Sequence, residues 1–226
     1  MNETSCHHER YPLDLHCHTS VGSDCSDFTI DEIVQVVTGN NLEAFAVTDH
    51  HSVEGAKVLA ARGVPVIIGV EIYVKDSRIK DYGEFLVFAP EGLEKMVEGA
   101  KGPKITLREA KNCGFLDGGN LVIWAHPLFD DEDWMGMVLA GIGPFIHAVE
   151  IYNYSSYHAQ ETTEILSDNR ASLKKCGASA LIEVANSDAH EIGHYMKAFN
   201  IFKTPVRSSV DLIQAVKAGD IIIRTP

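Results

Sequence analysis

Pro12-Leu13-Asp14-Leu15-His16-Cys17-His18 is a short apolar run that carries a carboxylate and two imidazoles at every second position. Side chains alternate faces along a strand, so Asp14, His16 and His18 point one way and Leu13, Leu15 and Cys17 the other. Imidazoles two strand residues apart stand about 6–7 Å from each other and can converge on one or two ions, with metal–nitrogen distances near 2.0–2.1 Å. Asp14, on the same face, is expected to orient one imidazole from behind.

Outward from this run, similar apolar stretches recur at 43–48, 65–72, 84–89, 120–125, 147–152 and 180–185. They are read as buried strands. Helical spacing fills most of the intervals. It predicts helices over 30–39 with Thr29 as cap, 53–62, 105–113 after Pro103, 157–176, and 209–218 with Ser209 as cap and Gly219 as stop. Ile221–Ile223 forms one more apolar run. Strands alternating with helices predict an α/β fold with a mostly parallel sheet, and seven such units predict a closed barrel rather than an open sheet. One domain is expected over 11–226, with residues 1–10 as a flexible leader holding Cys6, His7 and His8.

The polar residues within these runs fall at the carboxyl ends of the expected strands, where an α/β barrel carries its chemistry. Val47-Thr48-Asp49-His50-His51 ends one strand, with His50 chosen as ligand and His51 as the spare. Gly69-Val70-Glu71 places a carboxylate at the end of the most apolar run, a position costly to bury without a partner or a metal. Trp124-Ala125-His126-Pro127 stops a strand on a histidine. Asn186-Ser187-Asp188-Ala189-His190 repeats an acid and an imidazole at a spacing of two.

Together Asp14-Leu15-His16-Cys17-His18-Thr19, Thr48-Asp49-His50, Gly69-Val70-Glu71, Ala125-His126-Pro127 and Ser187-Asp188-Ala189-His190 resemble the motifs of the PHP (polymerase and histidinol phosphatase) superfamily, in the family's order. The resemblance implies a distorted seven-stranded (β/α) barrel with a two- or three-metal site at the carboxyl ends of the strands. It assigns His16, His18, Glu71 and Asp188 to one ion, Glu71 and His126 to a second, and Asp24, His50 and His190 to a third. It also implies metal-dependent phosphoester hydrolysis. Two departures stand out. Ser23-Asp24-Cys25 and Ser26-Asp27-Phe28 compete for one motif, and Asp24 fits the spacing better than Asp27. A histidine that often follows the Glu71 strand is absent; Glu84 stands near its place, and either it substitutes as a ligand or the second ion is weakly held.

The expected activity is hydrolysis of small phosphate monoesters, of nucleotide, sugar or alcohol type, by hydroxide generated on a divalent ion. His50, Asp188 and His190 are the expected catalytic residues; His50 or His190 would pass a proton to the leaving group. Arg170 and His194 are candidates for substrate contact, as are Lys75, Arg78 and Lys203. Carboxylates beside imidazoles suit zinc, manganese or iron. Alternatives are an exonuclease-like phosphodiesterase on short oligonucleotides and a non-catalytic metal-binding module. A carbon–nitrogen amidohydrolase is a further rival. Such barrels often add a carboxylated lysine, and no lysine is expected to end a strand here.

Composition narrows the partners. With a net charge of −13 and no basic patch, a long nucleic acid is not an expected partner. No apolar run reaches the roughly 18–20 residues that span a bilayer. The polar first ten residues do not read as a signal peptide, and the five cysteines form no CxxC pair, which fits free thiols in the cytoplasm.

Overall fold

A computed structural model describes residues 11–76, 81–157 and 161–226. The expected leader and Arg78 lie outside the described residues. The strands are β1 (Tyr11–Leu13), β2 (Phe45–Val47), β3 (Val66–Lys75), β4 (Gly83–Phe88), β5 (Lys104–Thr106), β6 (Leu121–Trp124), β7 (Ala148–Asn153), β8 (Ile182–Asn186), β9 (Phe199–Phe202) and β10 (Ile221–Arg224). The helices are α1 (Ile30–Gly39), α2 (Glu54–Ala61), α3 (Leu93–Gly99), α4 (Leu107–Asn112), α5 (Glu132–Ile142), the single turn α6 (Tyr154–Tyr157), α7 (Thr162–Lys175) and α8 (Ser209–Lys217). None of them is long and apolar enough to cross a membrane.

A curled mixed sheet runs β2-β3-β4-β6-β7-β8, with β5 attached to β3. Its open edges are joined by residues 14–18, which the expected strand 12–18 only partly anticipates. The ladder strand β1 stops at Leu13 and pairs with β9 in a separate sheet β1-β9-β10. Beyond it the chain runs between the ends of β8 and β2. His18 N–H donates to Ala189 O at 2.9 Å, Ala189 N–H to His16 O at 3.1 Å, and Thr48 N–H to Cys17 O at 2.9 Å. Segment 14–18 is thus the seventh stave of a distorted barrel, held by one isolated bridge, Cys17 to Ala189, and single hydrogen bonds rather than a ladder.

The sheet is less parallel than expected. β4 runs antiparallel to both β3 and β6, whereas β2-β3, β6-β7 and β7-β8 are parallel. The connection from β3 to β4 spans only residues 76–82, too short for the crossover of about a dozen residues that a parallel pair needs.

Local signals explain the helix ends. Thr29 and Glu32 form a capping box on α1, and Ile30, Ile33 and Val37 bury one face. The cap of α8 is Ser208, whose Oγ accepts from Asp211 N–H at 3.2 Å; Ser209, the expected cap, is the first helical residue. Gly219 follows the helix with φ 70°, as a stop should. The unanticipated α5 contains Gly136 and Gly141, which weaken its helical signal, and starts at the Asp131 cap.

Strand alternation sorts two cores. Ile67, Leu86, Phe88, Ile123, Ala148 and Val184 pack with Leu212 and Val216 of α8. Val70, Phe85, Val122, Trp124 and Val149 pack with Trp134 and Val138 of α5. Glu71 stands four residues along β3 from Ile67, Glu84 two from Leu86, and Glu150 two from Ala148. All three carboxylates therefore share a face with the first core and lie at its upper end.

Candidate metal centre

Four side chains form the floor of the centre. His16, His18 and Glu71 are at most 1% exposed, and Asp188 is 12% exposed. His16 Nε2 lies 3.2 Å from Glu71 Oε2 and 3.4 Å from Asp188 Oδ1. His18 Nε2 lies 3.3 and 3.2 Å from the same two oxygens. The outer wall is more open. His50 Nδ1 is 3.1 Å from Glu71 Oε2, His126 Nε2 is 3.1 Å from Glu71 Oε1 and 3.7 Å from Glu84 Oε2, and His190 Nδ1 is 3.4 Å from Asp188 Oδ1. One carboxylate, Glu71, thus spans the cluster with its two oxygens.

These residues fit divalent ions. His16 Nε2, His18 Nε2, Glu71 Oε2 and Asp188 Oδ1 are buried, yet none has a hydrogen-bond partner among the described residues. Unpaired buried polar atoms are costly, and four of them aimed at one another call for an occupant. Ligands bound about 2.1 Å from one ion at 90–109° lie roughly 3.0–3.4 Å apart, the spacing seen here. Four groups have all their ligand atoms within 4.8 Å of one another: His16-His18-Glu71, His16-His126-Asp188, His18-His50-His190 and His50-Glu71-Glu84.

The backbone is bent to make this arrangement. His126 has φ 26° and Asp188 φ 54°, in the left-handed region that costs non-glycine residues energy and marks functional sites. Both turn a side chain inward just as a strand ends. Electrostatics follow from the crowding. Burial opposes charge on His126, but the adjacent Glu71 carboxylate outweighs it and raises the pKa to about 9. His50 goes the other way: burial, only partly offset by Glu71, lowers it to about 4. Burial and the neighbouring His18 also lower His190.

The family model described as PHP domain matches residues 14–198, most of the chain and every residue of this cluster. The chain belongs to the PHP family. Solved structures share the PHP chain's fold at low identity. PsfC from Pseudomonas syringae is 16% identical with a TM-score of 0.61, covering 96% of this chain and 92% of its own. An amidohydrolase from Chromobacterium violaceum, solved with bound sulfate and no metal, is 14% identical with a TM-score of 0.55, covering 93% and 97%. A candidate metal-dependent phosphoesterase from Bifidobacterium adolescentis is 15% identical with a TM-score of 0.51, covering 79% and 87%. No curated protein matches the sequence.

In this PHP chain, eight of the nine expected ligands meet: His16, His18, His50, Glu71, Glu84, His126, Asp188 and His190. Asp24 does not. It is exposed and belongs to none of the four groups, and the alternative Asp27 is exposed too. The reason is local: Ser23 and Ser26 turn their hydroxyls inward, to His18 and to the His18 and His190 carbonyls, so the aspartate after each points out. Glu71 lies inside β3 rather than at its end. His51 belongs to none of the four groups, and its Nε2 accepts from Tyr73 N–H at 2.9 Å. Asp14 orients no imidazole; it accepts from Ser187 N–H at 3.1 Å and from Met196 N–H at 3.2 Å, tying the seventh stave to the loop after β8.

The expected substrate contacts are otherwise engaged. Arg170 forms a bidentate pair with Glu183, at 2.8 and 2.6 Å. His194 Nε2 faces Glu191 at 3.1 Å, and its ring meets Tyr154 edge-on. Lys203 pairs with Asp220. Lys75 does end a strand, but it is exposed and outside the ligand groups.

Glu150 is the residue that sequence reasoning missed. Fully buried, it accepts from His16 Nδ1–H at 2.8 Å, His126 N–H at 2.9 Å, Asn186 Nδ2 at 2.7 Å and Asn153 Nδ2 at 3.1 Å. It holds His16 with Nε2 bare toward the cluster. The signal was present: Ala148-Val149-Glu150-Ile151 buries a carboxylate in an apolar strand, as the Glu71 run does.

Proposed function

We propose that this chain is a metal-dependent phosphoesterase that hydrolyses small phosphate monoesters. One observation carries the reading: the centre is closed on one side and open on the other. Structural metal sites are closed, whereas catalytic ones keep a position for substrate. Here the side chains of His16, His18 and Glu71 are 0–1% exposed, while those of His50, His190, Glu84 and His126 are 36%, 28%, 27% and 22% exposed. A cavity of about 560 Å³ opens beside His126, lined also by Asp130, Ser156, Tyr157 and Asn169. A second, of about 200 Å³, lies between Glu84, Tyr73 and Trp134.

Two or three divalent ions of zinc, manganese or iron would be held by His16, His18, His50, Glu71, Glu84, His126, Asp188 and His190. What such ions supply when bound is Lewis-acid polarisation of a phosphoryl oxygen and acidification of water. The chain's own residues do the rest. Glu71 faces His16, His18 and His50 with one oxygen and His126 with the other, so it fixes the spacing across the cluster. Asp188 Oδ1 faces His16, His18 and His190 and so joins the floor to the open wall. His50 and His190, whose pKa values burial lowers, stay neutral near pH 7 and so offer an unprotonated nitrogen to an ion at the open side. The cavity beside His126 is large enough for the organic part of a small ester and too confined for a duplex. Free thiols at Cys17, Cys25, Cys113 and Cys176 suit a cytoplasmic setting.

The test is metal analysis of the purified protein, before and after reconstitution with Mn²⁺, Zn²⁺ or Fe²⁺, beside turnover of p-nitrophenyl phosphate, a nucleoside monophosphate and a short single strand. Metal uptake with monoester hydrolysis is expected, and Asp188→Ala should lower turnover about a hundredfold or more. Failure to take up any ion would overturn the reading. Uptake without hydrolysis would make the chain a binding module, and preference for the strand would make it a phosphodiesterase.

A further inference from the structure

The geometry points to Asp49 as a positioning residue for the metal centre, acting on His18 and His50 through the Ser23 hydroxyl. The inference rests on the metal reading above. Ser23 Oγ lies 3.2 Å from His18 Nδ1, receives His50 N–H at 3.0 Å, and lies 3.0 Å from Asp49 Oδ1. Asp49 is fully buried and encircled by donors: Thr19 N–H at 2.6 Å, Thr19 Oγ1–H at 2.9 Å and the Ser23 hydroxyl. A carboxylate in that cage accepts, so the single Ser23 proton points at Asp49. The oxygen's lone pairs then receive His18 Nδ1–H and His50 N–H. His18 is left with Nε2 bare, facing Glu71 and Asp188, as a metal ligand requires.

The site is built around this relay. A Cβ on Gly22 would stand 2.0 Å from Asp49 Oδ2, and one on Gly55 2.4 Å from it, so two glycines make room for the carboxylate. The relay mirrors Glu150, which does the same for His16 from the other side of the floor. The two orienters meet at the floor, where His16 and His18 share a ligand group with Glu71, and diverge at the wall. Ser23-Asp49 governs His18 and His50, which with His190 form one of the ligand groups. Glu150 governs His16 and the His126 backbone.

The experiment measures Mn²⁺ and Zn²⁺ affinity and ions per chain by chelator competition, in the parent and in Ser23→Ala, Ser23→Thr, Asp49→Asn and Glu150→Gln. Circular dichroism melting of each metal-free protein reports folding separately. Ser23→Ala and Asp49→Asn should weaken one class of ion about 10- to 100-fold with the metal-free fold retained. Ser23→Thr, which keeps the hydroxyl, should restore the affinity. Glu150→Gln, acting on His16 in the same His16-His18-Glu71 group, should weaken binding at the shared floor as well, so that Ser23→Ala and Glu150→Gln are not additive. Parent-like affinity in both Ser23→Ala and Asp49→Asn would overturn the relay alone. Loss of the metal-free fold in both would make Asp49 a structural residue and overturn it as well. A parent that takes up no ion would overturn both the relay and the metal reading.

Discussion

His126 shows how a single residue couples protons, metal and stability. Its imidazole sits beside Glu71, and the pKa is raised from 6.5 to about 9 in the metal-free protein. A raised folded-state value means stability that is fully present below pH 6.5 and lost as pH climbs through 9. His16 shifts the same way, since Asp188, Glu71 and Glu150 outweigh its burial. The metal-free protein should therefore lose on the order of 3 kcal/mol from the His126 pair between these limits. Urea unfolding at pH 6, 7.5 and 9 with chelator present measures this, and a flat or rising profile would contradict it. Metal and proton compete for the same nitrogen, so ion affinity should rise over the same interval, with protons released on binding. At this scale eight of the nine side chains expected in the cluster were legible in sequence, because an imidazole or carboxylate inside an apolar run has few explanations. Asp24 lies outside the cluster: sequence spacing does not say which way a loop side chain turns, and the inward hydroxyls of Ser23 and Ser26 decide it.

Elements were legible where the signal is local. The Thr29–Glu32 capping box and the buried spacing of Ile30, Ile33 and Val37 set α1 at the expected residues 30–39. The end of α8 was legible to within one residue, since Ser208 and Ser209 both suit a cap and only the fold chooses. Ser208→Ala should cost about 1 kcal/mol, whereas Ser209→Ala should cost only a few tenths. Thermal melts of the two variants decide between them, and equal losses would argue against Ser208 as the cap. β9 escaped notice because Phe199–Phe202 is short and its partners, β1 and β10, are separated from it in sequence. Its pairing is long-range, and no periodicity in four residues announces it.

The whole barrel is joined through its metal centre. The seventh stave, residues 14–18, is held by the Cys17–Ala189 bridge, by the Asp14 tie to Ser187, and by His16 and His18 on the shared floor. Ions bridging His16 and His18 to Glu71 and Asp188 would link that stave to β3 and to the loop after β8. Metal removal should therefore lower the melting temperature, and saturating Mn²⁺ or Zn²⁺ at about a hundred times the dissociation constant should add roughly 2.7 kcal/mol. Calorimetry with and without chelator measures the difference; identical melts would mean that the ions do not tie the stave.

By itself the sequence determined the α/β alternation and most of the imidazoles and carboxylates that cluster. Both rest on the same physics: apolar runs must be buried, and a polar group within one must have a partner. Only the tertiary structure decided which of those partners point at one another. Glu150 and His16 are 134 residues apart, and Leu15 N–H reaches Asn186 across 171. The antiparallel turn of β4, the left-handed backbone at His126 and Asp188, and the Ser23–Asp49 relay arise from such contacts, which carry no local period for a sequence to display.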